Sequence, residues 1–382
     1  MQRLRIGVLT ATFPPYCAGT GNVVFAQTAE LARRGHDVTV ITATHPGEIR
    51  DPPGVSVVRL KPRLRLGNAP LLSELIGLHG FDVIHLHQPF IFGAEMVAAV
   101  TKLRNIPLLS TFHNEIIAGG LRGALFDTYS NTALPLTLRA SQIIAAVTPG
   151  HAAAVKQLRT EIQRCPDKLR IVPNAVDHTR FRPVPGGSTV KEKLGIPANV
   201  TVAMVCAALD EAHLTKRVDL AIAATANIKQ LHLIVVGDGP LRETLRAGAA
   251  ALNVEQRTHF VGWQNERLPE YYCAADVFVL CSELESFGLV QVEAMACGTP
   301  VIVSDVPGAR DVSVAGVHGW HIAAGNICAL TAALTDLCEL PAAEKQAMGR
   351  AARAHVLEHF TWKHSADALE DALAATIERH KR

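Results

Sequence analysis

The sequence predicts an α/β protein of two doubly wound domains, and three observations carry that expectation. The chain has 382 residues, longer than a single hydrophobic core ordinarily supports. Short runs rich in Val, Ile and Leu alternate with stretches of helical period. Those runs are apolar on both faces, as expected of parallel strands covered by helices on either side. The alternation also stops near Ile171 and restarts near Asn199.

In order, "LRIGVLT" (Leu4–Thr10) reads as the first strand. It is followed by a loop and then by "NVVFAQTAELARRG", whose Val23, Val24, Ala26, Leu31 and Ala32 approximate a helical stripe closed by Gly35. "HDVTVIT", "DVIHLH" and "PLLSTFH" continue the strand series. The second series is "NVTVAMVC", "LHLIVVG", "THFVG", "DVFVLCS" and "PVIVS", interleaved with helices such as "RVDLAIAATANI". Between them, "IVPNAVDHTRFRP" (Ile171–Pro183) has two prolines and little periodicity, and reads as the linker. The expected domains are therefore residues 1–172 and 173–362. The helical tail from about Ala342 to Lys381 is broken at "HFTWKH", where the chain could cross back so that 363–382 packs on the first domain. Ligands of such sheets bind beyond the C-terminal ends of the strands.

Apolar residues make up 48% of the chain and charged residues 19%, which excludes a disordered protein. The net charge of +2 hides an asymmetry: the first 172 residues hold 18 of the 37 Lys and Arg but only 11 of the 35 Asp and Glu. That split is too mild for a nucleic-acid partner. The eight cysteines form no CxxC pair, and Cys206, Cys281 and Cys297 sit in apolar runs, which favours a reducing compartment. The first apolar run is too short for a signal-peptide core, and none approaches the roughly 18 residues of a membrane span. The expectation is a soluble, cytoplasmic protein.

"ESFGLVQVEAMACGTP" (Glu285–Pro300) places two carboxylates, Glu285 and Glu293, in an otherwise apolar stretch. Buried carboxylates are costly unless paired. Gly298, Thr299 and Pro300 should stop a helix beginning near Phe287, with Glu285 just before it and Glu293 one to two turns inside. At about 1.5 Å per residue the carboxylates would lie roughly 9–12 Å apart along the axis, which suits a ligand lying across the helix start. A nucleotide-diphosphate sugar has that anatomy. Its hydroxyls at either end would donate to the carboxylates, and its diphosphate would meet the free N–H groups of Gly288 and Leu289. The plainer alternative is that Glu285 caps the helix and Glu293 is a partly exposed helical residue.

"ESFGLVQVEAMACGTPVIVSDVPG" resembles the nucleotide-sugar signature of the family 4 retaining glycosyltransferases. The likeness extends over most of the chain, through "FPPYCAGTGNVV", "FDVIHLHQP", "IVPNAVD", "LIVVGDGPLRETL" and "YYCAADVFVLCS". It implies the GT-B architecture, in which two Rossmann-like domains face each other across a cleft. It also implies that Glu285 binds the sugar hydroxyls and Glu293 the ribose, with Phe287, Gly288 and Leu289 in the donor site.

Other segments complete or depart from the pattern. In "PPYCAGTGN" the family's two adjacent glycines are replaced by Ala18 and Gly19, so only Gly19 carries over as a donor contact. A nicotinamide reading of Gly19 and Gly21 lacks a third glycine and a downstream acid. In "CAALDEAHLTKRVDLAI", Lys216 matches the family's phosphate-binding lysine, but Ala208 stands where an arginine is usual; His213 or Arg217 would supply the second positive group. A positioned cation stabilises the departing diphosphate without a metal. His113, at the end of a strand, matches the family histidine that contacts the transferred sugar. His85 and His87 alternate on one strand and so point the same way, but no carboxylate cluster accompanies them as a metal site. "GDGP" (Gly237–Pro240) is a tight turn or a ligand contact, and "FVGWQNERL" lies near the nucleobase by resemblance. "KPRLRL" (Lys61–Leu66) is a basic loop, with weak peripheral contact to an anionic lipid or acceptor as the alternative to simple solvation.

The expected activity is therefore metal- and cofactor-independent transfer of a hexosyl group from a UDP- or GDP-sugar to a hydroxyl acceptor, with retention. His113, Lys216 and Glu285 would be catalytic. The competing readings are a nucleotide-sugar epimerase or a glycoside phosphorylase on the same scaffold, or a non-catalytic nucleotide-sugar binder.

Overall fold

The computed structural model describes residues 2–16, 19–66, 69–115 and 120–382. The chain divides into two compact units. One comprises Met1–Ala175 together with Trp362–Arg382, and the other Val176–Thr361.

The first unit is built on strands β1 (Arg5–Leu9), β2 (Asp37–Ala43), β3 (Val55–Leu60), β6 (Val83–Gln88), β7 (Leu108–Phe112), β8 (Ile143–Ala146) and β9 (Leu169–Ile171). A small antiparallel hairpin, β4 (Leu64–Leu66) and β5 (Ala69–Leu71), stands apart from the sheet. The seven sheet strands run parallel in the order β3-β2-β1-β6-β7-β8-β9. Strand β6 is buried along its whole length, as a central parallel strand flanked by helices must be. The returning helix Trp362–Lys381 completes this unit: Leu369, Ala372 and Leu373 are fully buried with Ile6, Val8 and Leu109. Polar contacts fix it in place. Gln27 Nε2 donates to Ser365 Oγ at 3.2 Å, and Arg34 bridges Asp367 at 2.6 Å and Glu370 at 2.7 Å.

The second unit carries β10 (Thr201–Cys206), β11 (Leu231–Val236), β12 (Thr258–Gly262), β13 (Val277–Leu280), β14 (Val301–Ser304) and β15 (Gly319–Ile322). These are parallel in the order β12-β11-β10-β13-β14-β15. Its core joins Val205, Ile222, Leu233, Val279, Ile302 and Leu334. The strand order reverses between β10 and β13, which pair through Ala203 with Val277 and Met204 with Phe278. Ligands of open parallel sheets bind at such a reversal, because the connections leaving the two strands diverge and leave a crevice.

The structure revises the expected linker. Ile171 ends β9 and belongs to the first sheet, while the segment after Ala175 is packed into the second unit. Val176 N donates to Phe360 O at 3.0 Å, and Phe181 is buried against Tyr272. Edge strand β3 and strands β8, β9 and β15 were not singled out from the sequence. Strand β3 is only half-buried, and β8, β9 and β15 have only three or four residues each, too short to show a period.

Candidate donor site in the second unit

Two segments leave the strands that flank the reversal. From β10 the chain passes Ala207 and Ala208 into a 3-10 stretch, Glu211–Lys216, kinked at His213 (φ -112°, ψ 15°), which Asp210 caps by accepting from His213 N at 3.1 Å. From β13 it passes Cys281 to Gly288 into the helix Leu289–Ala296. A backbone bond from Glu283 N to Thr215 O at 2.8 Å ties the two segments together. Beside that bond Lys216 Nζ meets Glu285 Oε2 at 2.5 Å, with Ser282 Oγ at 3.4 Å from the same oxygen. Two residues assigned from separate motifs thus form one largely buried ion pair. Removing either partner would leave the other charge desolvated and uncompensated.

The helix begins two residues later than expected. Gly288 is its N-cap, at φ 83° and ψ 60°, a left-handed conformation that L side chains rarely adopt. Glu285 therefore lies in the turn before the helix and Glu293 is its fifth residue, so a uniform helical rise does not describe their separation. Among the described residues nothing accepts from the N–H groups of Gly288, Leu289 or Val290. Three donors and the positive end of the helix are thus left for an anion. Gly298, at φ 81°, follows the C-cap and lets its N–H reach Met295 O at 2.9 Å.

Phe287 departs from its assignment to the donor. Its side chain is fully buried and packs edge-on against Phe360, ring centroids 5.5 Å apart at 84°. It anchors the turn, and only its backbone is left for a ligand. A residue not singled out from the sequence also shapes this turn. Gly308 (φ 91°) lies so close that a Cβ there would stand 2.4 Å from Glu285 O and 2.5 Å from Ser286 C. Gly308→Ala should lower stability by about 1–3 kcal/mol through strain and also reduce turnover, because the Glu285 peptide must move. A variant with a lower melting temperature but unchanged kcat would remove Gly308 from the support of Glu285.

Glu293 is held from behind. Tyr272 Oη donates to Glu293 Oε2 at 2.8 Å, and no protein group among the described residues pairs with the other oxygen. Burial pushes the Glu293 carboxyl up to about 7, against the opposing effects of the Tyr272 bond and the Arg180 charge. The folded protein therefore binds more protons than the unfolded chain between the ordinary glutamate value and about 7. Through that window stability falls as pH rises. Glu293→Gln should raise the melting temperature of the ligand-free protein at pH 8, and the gain should vanish towards pH 4.5. A gain independent of pH in calorimetric melts would contradict this.

The expected second cation does not emerge. Arg217 is bound by Asp219 at 2.9 Å and by Glu283, and His213 Nδ1 lies 2.6 Å from Asp210 Oδ1. Both groups face carboxylates of their own, which leaves Lys216 as the cation at Glu285. The "GDGP" glycines have a packing role: a Cβ at Gly237 would stand 1.8 Å from Ala207 O, and one at Gly239 2.3 Å from Leu209 O. They let the β11 turn close against the segment leaving β10. Beyond β12, Trp263 is 66% exposed.

The remaining assigned residues lie in the first unit. His113, just past β7, is buried, and its Nε2 is 2.7 Å from His87 Nδ1. Burial lowers the His113 pKa to about 3, helped by His151, so its ring is neutral near pH 7. His85 and His87 do share one side of β6, ring centroids 4.0 Å apart, with His85 Nε2 bonded to Thr111 Oγ1 at 2.7 Å. Gly19 opens the helix Gly19–Arg33, and among the described residues no atom beyond its chain neighbours and its own helix backbone lies within 4 Å of where a Cβ would stand. Ala18 and much of "HNEIIAGG" lie outside the described residues. Among the described residues no group of three or more His, Cys, Asp or Glu could hold a metal ion.

Comparison with known proteins bears on the fold and the family. The fold is that of the GT-B glycosyltransferases: sucrose-phosphate synthase of Thermosynechococcus elongatus superposes with a TM-score of 0.78 at 22% identity, over 96% of this chain and 97% of that one. The Anabaena protein Alr3699/HepE, solved in complex with UDP-glucose, matches with a TM-score of 0.78 at 20% identity, over 97% of this chain and all of that one. Family models match in both halves, Glycosyltransferase Family 4 over residues 18–180 and Glycosyl transferases group 1 over residues 189–355. A D-inositol 3-phosphate glycosyltransferase of Nocardia farcinica is 30% identical over 98% of this chain and 90% of its own length. The chain belongs to glycosyltransferase family 4, and it is a glycosyltransferase.

Proposed function

We propose that the protein transfers a sugar from a UDP- or GDP-sugar to a hydroxyl acceptor, with retention and without a metal. The observation that carries this reading is the meeting of Lys216 and Glu285 at 2.5 Å beside a helix start whose first three N–H groups no described residue accepts. A bound donor would exchange partners with the pair. Its diphosphate takes Lys216 Nζ and the amides of Gly288 to Val290, which frees the Glu285 carboxylate to accept from the sugar hydroxyls. Glu293 accepts from the ribose through its open oxygen. As the glycosidic bond breaks, negative charge grows on the leaving diphosphate, and the ammonium and the helix start stabilise it in place. The acceptor attacks the face from which the diphosphate leaves, and a departing phosphate oxygen takes the acceptor proton. His113, neutral at its strand end, would contact the transferred sugar, and Gly19 would border the phosphates.

The UDP-glucose complex of HepE supports a nucleotide-sugar donor, and the name of the Nocardia relative makes phosphorylated polyols the first acceptors to test. The seven described cysteines are all free thiols, which suits a reducing, cytoplasmic setting. No helix among the described residues is long and apolar enough to cross a membrane. Weak peripheral contact through Lys61 and Arg63 would appear as salt-sensitive binding to anionic vesicles.

A thermal-shift panel of nucleotide sugars, run with and without EDTA, tests the reading, since a ligand bound only by the folded form raises the melting point. The expected result is a shift with UDP- or GDP-sugars that EDTA leaves unchanged, followed by nucleotide release once acceptor is added. An isomerised donor formed without acceptor would make the protein an epimerase instead.

A further inference from the structure

We propose that Tyr272 is a positioning residue for nucleotide binding: its hydroxyl fixes one oxygen of Glu293, so that the other is presented to the ligand in a single orientation. The inference rests on the reading above, in which Glu293 contacts the nucleotide.

The geometry supports this from three sides. The Tyr272 hydroxyl is 2.8 Å from Glu293 Oε2, and the whole side chain is inaccessible to solvent. Its ring is clamped edge-on between Phe181, at 6.1 Å, and Phe278, at 5.6 Å, while Thr299 Oγ1 donates to its carbonyl at 2.8 Å. The phenol therefore has no room to turn. Burial beside Glu293 holds its pKa well above the usual tyrosine value, so the phenol keeps its proton and acts as the donor. A glutamate has three rotatable bonds, and fixing one carboxylate oxygen removes freedom that a ligand would otherwise have to restrict itself.

Other charged or titratable groups face Glu293 from each element packed around it. Cys206, at the end of β10, interacts with both the phenol and the carboxylate, and its thiol is pushed up to about 12 by burial. Arg180 contributes positive charge from the segment after Val176, and Cys297 is the C-cap of the helix that carries Glu293. From the helix Ala342–His359, Arg353 donates to Ala296 O at the far end. Of these groups Cys206 and Cys297 are also neutral, but a thiol donates more weakly than a phenol, and Tyr272 is the group whose hydrogen bond to Glu293 is formed. Without it the carboxylate would be both mobile and harder to ionise, because the bond to Tyr272 favours the charged form against burial.

The test is a double-mutant cycle on UDP and GDP affinity, measured by calorimetry from pH 6 to 9 on the full chain. The variants are Tyr272→Phe, Glu293→Gln and the double variant, with circular dichroism and melting curves as folding controls. Tyr272→Phe should weaken binding roughly three- to tenfold at pH 7, and the gap from wild type should narrow towards pH 9 as both carboxylates ionise. Comparing variants at each pH cancels the titration of the nucleotide itself. In the Glu293→Gln background the same replacement should change nothing, because the residue it acts through is gone. A Tyr272→Phe effect that persists in that background, or one independent of pH, would reduce Tyr272 to packing and overturn the inference. Failure of Glu293→Gln to weaken binding would instead overturn the assignment of Glu293 to the nucleotide, and the inference with it.

Discussion

Lys216→Met lowers kcat by about 10²–10³, the loss typical of removing one preorganised group that meets developing charge. The side chain is 24% exposed, and among the described residues Glu285 is its only ion-pair and side-chain hydrogen-bond partner. Ala208 stands where the family pattern has an arginine, and Arg217 is held by Asp219 and Glu283. Arg217 is therefore not ready to substitute. The same variant weakens UDP and GDP binding, because the ground-state diphosphate is already charged. It also strands Glu285 without its partner, so the melting temperature falls as well. Steady-state kinetics and calorimetry separate the two effects. Wild-type nucleotide affinity in a folded variant would take Lys216 out of the phosphate site.

Glu285→Gln has the opposite signature. Losing charge-assisted bonds to the sugar lowers turnover by roughly ten- to a hundredfold, while affinity for the free nucleotide holds or rises. The rise follows from the ion pair: Lys216 no longer has to leave a carboxylate before it meets a phosphate. Competition between free UDP and the donor would then favour UDP more than in the wild type. Equal loss of nucleotide affinity in Glu285→Gln and Glu293→Ala would instead mean that the two carboxylates do not divide the donor as proposed.

The two predictions concern residues that the sequence exposes most clearly. Lys216 and Glu285 sit in motifs whose order along the chain is interpretable, and the alternation of apolar runs reveals the parallel sheets because buried strands need no polar face. The details that escaped are those decided by tertiary contact. Gly288 takes a left-handed conformation and delays the helix that the apolar pattern starts at Phe287. Phe287 itself is claimed by Phe360, a partner more than seventy positions away along the chain. Arg217 looked available as a cation although Asp219 stands two positions on; its second partner, Glu283, is distant in sequence. Tyr272 left only a faint trace, a phenol in an apolar run whose hydroxyl must find a partner once buried. The sequence offers no way to tell that the partner is Glu293.

The return of the helix Trp362–Lys381 to the first unit bears on how the molecule is made. Residues 1–175 leave the ribosome long before Leu369 and Leu373 exist to seal their sheet, whereas Val176–Thr361 is contiguous and can close as soon as it is synthesised. Domains ordinarily mature in the order of their synthesis, but here the second unit is the one that needs no later segment of this chain. The face of the first sheet that Leu369 and Leu373 cover therefore stays open until the helix carrying them has been made.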